Sequence, residues 1–168
     1  MDPLIVDLLL VPEVQRRFDD LRRAHFPPER LVVGAHVTLF HALPGERLEQ
    51  VREDLARAAD RPAFPVRVAG VVLLGRGVAF ALRSEELAAL HRDLQRTWEP
   101  ELTPQDRQRL SAHVTVQNKV PPERARALHG DLTSGFAPYD VPAVGLGLWR
   151  YAGGPWEPLA RFPFADAA

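Results

Sequence analysis

The sequence predicts an α+β fold made of two similar lobes, on three observations. Strand-like and helix-like stretches alternate along the chain. The tetrapeptide Ala-His-Val-Thr occurs twice, at 35–38 and 112–115, 77 residues apart in a chain of 168. Each copy is followed by the same order of elements: proline, helix, hairpin. The length suits one domain covering 1–168, and an apolar fraction of 46% with 26% charged residues is that of an ordinary globular protein.

Residues 4–11 form an apolar run, interrupted by Asp7 and stopped by Pro12, and read as a buried strand. A helix follows over 12–25, with Val14, Phe18 and Leu21 at helical spacing, until Pro27-Pro28 stops it. The first motif strand is expected over 31–41 and is broken by Pro44-Gly45. Leu48, Val51 and Leu55 mark the inner face of a helix over 46–59. Strands at 64–74 and 78–83 flank Gly75-Arg76-Gly77, a hairpin signal.

Ser84 is a good N-cap, and Glu85 and Glu86 suit the first turn of a helix whose Leu87, Leu90 and Leu94 face inward as far as Trp98. Residues 99–110, with Pro100 and Pro104, read as a loop. The order then recurs: a motif strand over 111–119, a helix from Pro121-Pro122 to Ser134 with Ala125, Leu128 and Leu132 inward, and strands at 139–151 and 156–162 around Gly153-Gly154. The duplication extends upstream, because a strand and a helix precede each motif (4–25 and 78–98).

Composition removes several chemistries. There is no cysteine, which excludes thiolate catalysis and disulfides. The formal net charge of −1 shows no global basic excess for non-specific nucleic-acid binding. The N-terminal apolar run is too short for a membrane span and lacks a basic leader, so a cytoplasmic protein with no membrane partner is expected. No His-Glu-x-x-His and no carboxylate at ligand spacing accompany either motif, so neither a metal nor a cofactor is expected.

Strand parity turns the motif into a geometric expectation. Side chains at i and i+2 share a face. Val37, Leu39, Val114 and Val116 should face the core, while His36, Thr38 and Phe40, with His113, Thr115, Gln117 and Lys119, should line a groove. Two imidazoles can supply a base for a nucleophile and an acid for a leaving oxygen in displacement at phosphorus. Thr38 and Thr115 hydroxyls can donate to phosphoryl oxygens, where charge grows in the transition state. Phe40 is a candidate for stacking a base and Lys119 for added positive charge.

These paired motifs, the His25-Phe26-Pro27-Pro28 stretch and the two hairpins resemble the 2H phosphoesterase superfamily, and within it the bacterial 2′-5′ RNA ligase and cyclic phosphodiesterase group. The resemblance covers nearly the whole chain. It implies a bilobal duplicated fold, two antiparallel-rich sheets lining a central cleft with helices outside. It also implies metal-independent action on 2′,3′-cyclic phosphates or 2′-5′ linkages of RNA ends or nucleotides. His36 and His113 would be the acid–base pair, and Thr38 and Thr115 would hold the phosphate. Members often carry an arginine three residues after the second threonine; this chain has Asn118 there, followed by Lys119. The competing expectation is a module that binds RNA ends or a phosphorylated metabolite without turnover. A monomer is expected.

Of the other residues, parity turns His41 away from the groove. His25 and His129 fall near helix C-termini, and His91 is expected on the outer face of its helix. Trp149, Tyr151 and Trp156 suit lobe packing more than base stacking, and Arg76 and Arg150 are weaker candidates for phosphate contact.

Overall fold

The computed structural model describes residues 1–166. Seven strands and four helices appear in chain order: β1 (Leu4–Leu10), α1 (Pro12–His25), β2 (Val37–Leu43), α2 (Leu48–Ala58), β3 (Phe64–Leu73), β4 (Val78–Arg83), α3 (Glu85–Trp98), β5 (His113–Gln117), α4 (Pro122–Thr133), β6 (Tyr139–Arg150) and β7 (Glu157–Pro163). Helix boundaries follow the local signals. Pro12 and Pro122 open α1 and α4, where a missing N–H costs nothing, and the Ser84 side chain accepts from the Leu87 backbone N–H at 3.1 Å. No helix among the described residues is long and apolar enough to cross a membrane.

The strands do not form two separate sheets. They form one antiparallel sheet in the order β2-β1-β6-β3-β4-β5, with β7 added against β6. The two expected sheets are two arms that share one long strand. The first half of β6 pairs with β3 (Phe64↔Ala143 to Val68↔Tyr139). Its second half lies between β1 and β7 (Asp7↔Gly147, Gly147↔Arg161). Twelve residues are long enough to serve both neighbours, and that length joins the arms.

The sheet curls so that β2 and β5, at opposite ends of the order, approach one another. The helices cross between arms. The helix α1 leaves β1 yet packs on β5, and Phe18 meets Phe80 of β4 at 5.5 Å. Conversely, α3 leaves β4 yet covers β2, with His91 and Trp98 against Phe40. Leu4, Val6, Leu8 and Leu10 of β1 join one core with Leu146 and Leu148 of β6, while Ile5, Asp7 and Leu9 face the opposite, concave side.

Both motif strands are shorter than the sequence suggested and both carry a bulge. In β2, Asp7 pairs with Thr38 but Val6 pairs with Phe40, so Leu39 is an extra residue. In β5, Ala79 pairs with Thr115 but Val78 pairs with Gln117, so Val116 is extra. A bulge sets two residues against one and reverses the alternation beyond it. That is why Phe40, expected in the groove, is fully buried in the core, and why Gln117 is buried too. Lys119, expected on the same face, lies past the strand in a left-handed turn (φ 61°) and points to solvent.

Candidate active site

Residues 31–36, expected as strand, have no ladder partner; side chains of α1 take that role. Gln15, Asp19 and Arg22 stand at i, i+4 and i+7, on one helical face. Gln15 Nε2 donates to the Ala35 carbonyl at 2.7 Å, and Asp19 Oδ1 accepts from the Ala35 N–H at 2.8 Å. Arg22 Nε donates to the Val33 carbonyl at 2.9 Å, and its Nη1 donates to the Thr115 carbonyl at 2.7 Å. Arg22 therefore ties the segment before His36 to the second motif strand. It is buried and lies over the Phe26 ring at 4.3 Å. Burial lowers its pKa, with Asp19 opposing, and the guanidinium remains a cation.

The two histidines are held identically. His36 Nδ1 lies 2.8 Å from the Gly34 carbonyl, and His113 Nδ1 lies 2.8 Å from the Ser111 carbonyl. A carbonyl only accepts, so Nδ1 donates in both, which leaves Nε2 as the nitrogen free to take or give a proton. His113 and Thr115 share a face of β5, since the register is unbroken between them. Thr38 begins the concave row beside Asp7, and both threonines are half-buried. The approach of β2 to β5 and the Arg22 bridge bring the two motif strands side by side.

Their surroundings differ. His36 packs against Trp156, with ring centres 4.4 Å apart, and opens on a pocket of about 410 Å³ that also reaches Asp7, Trp149 and Arg161. Burial pushes its pKa down to about 4, helped by the charges of Arg22, His113 and His41 and opposed by the Gly34 hydrogen bond. The imidazole is thus neutral across the physiological range. His113 is exposed. Asp7 is 4% exposed, accepts from Trp149 Nε1 at 2.8 Å, and has its pKa raised to about 6 by burial, with Trp149 and Arg161 opposing.

The remaining sequence expectations divide. Phe40 stacks on His91 at 4.7 Å and meets Trp98 edge-on at 4.9 Å, a core contact with no access to a ligand. Lys119 stands past the end of β5, exposed and in a left-handed turn, where strand parity no longer sets its direction. His91 is buried, not on an outer face, and its Nε2 meets the Leu39 carbonyl at 3.0 Å. His41 is exposed and bonds the buried Asp106, which also accepts from the His41 and Ala42 backbone and so pins the 99–110 loop to β2. Arg76 Nε is spent on the Val120 carbonyl, and Arg150 faces Glu157 at 3.6 Å. Trp149 and Trp156 line the pocket instead of only packing the arms. No group of three or more metal-ligating side chains converges among the described residues.

Sequence reasoning missed Arg22 and Asp7, though both had left a signal. Arg22 continues the buried stripe of Val14 and Phe18 at i+8 and i+4, and Asp7 interrupts an otherwise apolar strand. A charge at a core position requires a partner or a task.

Solved structures share this fold across nearly their whole length. TT0787 of Thermus thermophilus superposes with a TM-score of 0.69 at 18% identity, covering 96% of this chain and 97% of that one. E. coli LigT, solved in complex with 3′-AMP, gives a TM-score of 0.61 at 20% identity, covering 98% and 99%. A crystal structure described as a phosphoesterase gives 0.61 at 19% identity, covering 98% and 99%. No match is found among curated protein sequences. In sequence, residues 10–155 match the model of the 2′-5′ RNA ligase superfamily, and the chain belongs to that superfamily of 2H phosphoesterases.

Proposed function

We propose that this protein is a metal-independent phosphodiesterase acting on 2′,3′-cyclic phosphate or 2′-5′ linkages of nucleotides or RNA ends, with ligation as the same chemistry reversed. The observation that carries this reading is the matched pair of imidazoles, each tethered through Nδ1 to the carbonyl two residues earlier and each presenting Nε2. An acid and a base on two sides of a phosphodiester are what in-line displacement requires. The family and the nucleotide in the LigT complex support a nucleotide-sized substrate.

His36 serves as the base in this scheme, because burial keeps it unprotonated. Its Nε2 takes a proton from water as the water oxygen bonds to phosphorus. The bond from phosphorus to one ribose oxygen breaks, and His113, entering the step as the imidazolium, gives that oxygen its Nε2 proton and is left neutral. The anionic substrate raises the His36 pKa while it is bound, which improves the base at the moment of use. Thr38 and Thr115 donate to the non-bridging oxygens.

Turnover of the four nucleoside 2′,3′-cyclic phosphates by purified protein tests the reading. His36→Ala and His113→Ala should each lower kcat by about 10²–10⁴-fold. Undiminished turnover by either variant rejects the mechanism. Nucleotide binding without any turnover by the native chain leaves a binding module instead.

A further inference from the structure

Beyond His36, the concave face of the first arm carries a row of four residues in direct register across four strands: Thr38 (β2), Asp7 (β1), Gly147 (β6) and Arg161 (β7). Residues directly opposite in antiparallel strands project from the same face, about 5 Å apart. Asp7 is therefore one strand away from Thr38. Its carboxyl leans over Gly147 towards Trp149, where a Cβ on Gly147 would overlap Asp7 Oδ1 and crowd Trp149 Nε1 at 3.0 Å. The glycine leaves room for the acid.

Trp149 is the one side-chain donor to this carboxyl among the described residues. A hydrogen bond to a carboxylate contributes about 1.5–3 kcal/mol, and even with the Arg161 charge it does not offset burial, because the Asp7 pKa stays raised. The duplicated arm shows what structure alone needs at this place: Ala79 pairs with Thr115, and Val72 follows. The acid is buried yet borders the pocket that holds His36, Trp149 and Trp156. At about 410 Å³ this pocket is within the range of small-ligand sites.

We propose that the pocket is a guanine subsite, in which the Asp7 carboxylate accepts the N1–H and exocyclic amino donors of a guanine base stacked against the Trp149–Trp156 wall, so that the preferred substrate carries guanosine beside the scissile phosphate. This deepens the phosphodiesterase reading and rests on it for the reaction. Of the four common bases, guanine alone offers two adjacent N–H donors to a carboxylate. Adenine and cytosine set a ring acceptor beside their amino group, and uracil flanks its single N–H with two carbonyls, so each would oppose the second oxygen. Stacking contributes about 1–3 kcal/mol with little base preference, which leaves the carboxylate to discriminate.

The charged and titratable groups around Asp7 are Arg161 on β7, His36 before β2, and Arg16 and Asp19 on α1. With the Asp7 pKa near 6, the carboxylate dominates above that pH. Below it the neutral acid offers one donor and one acceptor, the complement of adenine or cytosine.

Equilibrium binding of 3′-GMP, 3′-AMP, 3′-CMP and 3′-UMP, followed by tryptophan fluorescence at pH 7.5 and pH 5, tests this without requiring turnover. The native protein should bind 3′-GMP at least tenfold tighter than the others at pH 7.5, with the ratio shrinking at pH 5. Ratios between nucleotides cancel the titration of their shared phosphate. Asp7→Asn keeps an acceptor for Trp149 but turns an NH₂ to the ligand, and should cut the guanine preference at least tenfold. The pH arm needs no variant. Equal binding of all four nucleotides, no binding of any, or an unchanged preference in Asp7→Asn overturns the proposal. Guanine preference in a protein that turns over nothing rejects the phosphodiesterase reading alone. Turnover of cyclic phosphates without base preference rejects the guanine subsite alone.

Discussion

The two arms of the sheet share a backbone and differ in what stands on it. Each motif strand has one extra residue directly after its threonine, Leu39 in one and Val116 in the other. Each histidine is tethered through Nδ1 at the same distance. The floor beside them is unlike: Asp7, Gly147 and Arg161 extend the row from Thr38, whereas Ala79 and Val72 extend it from Thr115. His36 is enclosed by Trp156, and His113 is exposed. Symmetry is kept where the backbone aims paired imidazoles and lost where a ligand's far end would rest. A duplicated site can thus hold a symmetric phosphoryl group and an unsymmetric substrate together.

The largest effect should come from cutting the bridge between arms. Arg22→Met leaves the Val33 and Thr115 carbonyls without their donor and should cost about 3 kcal/mol in urea unfolding. Arg22→Lys should recover only part, because one ammonium lacks the planar fork that spans both carbonyls. Equal stability of native and Arg22→Met proteins would show that the arms meet without this clamp.

Next in size is the difference between the histidines. If His36 is the base, the acid limb of kcat/KM lies near pH 4, and Trp156→Ala, which opens the ring to water, should move it up towards 6.5. Stability carries a matching signature. A His36 pKa below its ordinary value gives stability that is complete above pH 6.5 and is lost as pH falls through 4. Asp7, raised from 3.8 to about 6, acts oppositely: its contribution is complete below 3.8 and lost as pH rises through 6. Trp156→Ala should therefore flatten the acid-side loss and leave the Asp7 limb in place. An acid limb that does not move in Trp156→Ala removes His36 as the base.

The smallest effect sharpens the contrast between floors. Gly147→Ala forces the Asp7 carboxyl aside and should cost about 1–3 kcal/mol. Val72→Ala in the corresponding row is at a residue 40% exposed and should cost under about 1 kcal/mol. Thermal unfolding of both variants decides it; similar losses would mean that the floors are equivalent.

Much of this was legible in the residues. The spacing of Leu87, Leu90 and Leu94 behind the Ser84 cap marks α3, and the prolines mark where α1 and α4 begin, because these signals act within one turn of helix. The repeated tetrapeptide singled out His36 and His113, which the structure tethers alike, because a repeat is read locally. Two-residue periodicity misplaced Phe40 and Lys119. A bulge depends on which strand lies alongside, and Val6 and Val78, which face the residues just past each bulge, are far away in sequence. It misplaced His91 as well, because a helix face that looks outward from its own strand is covered when the helix crosses to the other arm.

By itself, then, the sequence determined the order of elements, their internal duplication and the paired imidazoles, all set by spacings of a few residues. Tertiary structure alone decided that β6 serves both arms, that α1 grips Val33, Ala35 and Thr115, and that His36 rather than His113 is enclosed by Trp156. Those are contacts between residues from 11 to more than a hundred positions apart. Pairing of this kind depends on how the whole sheet curls, which no local pattern encodes.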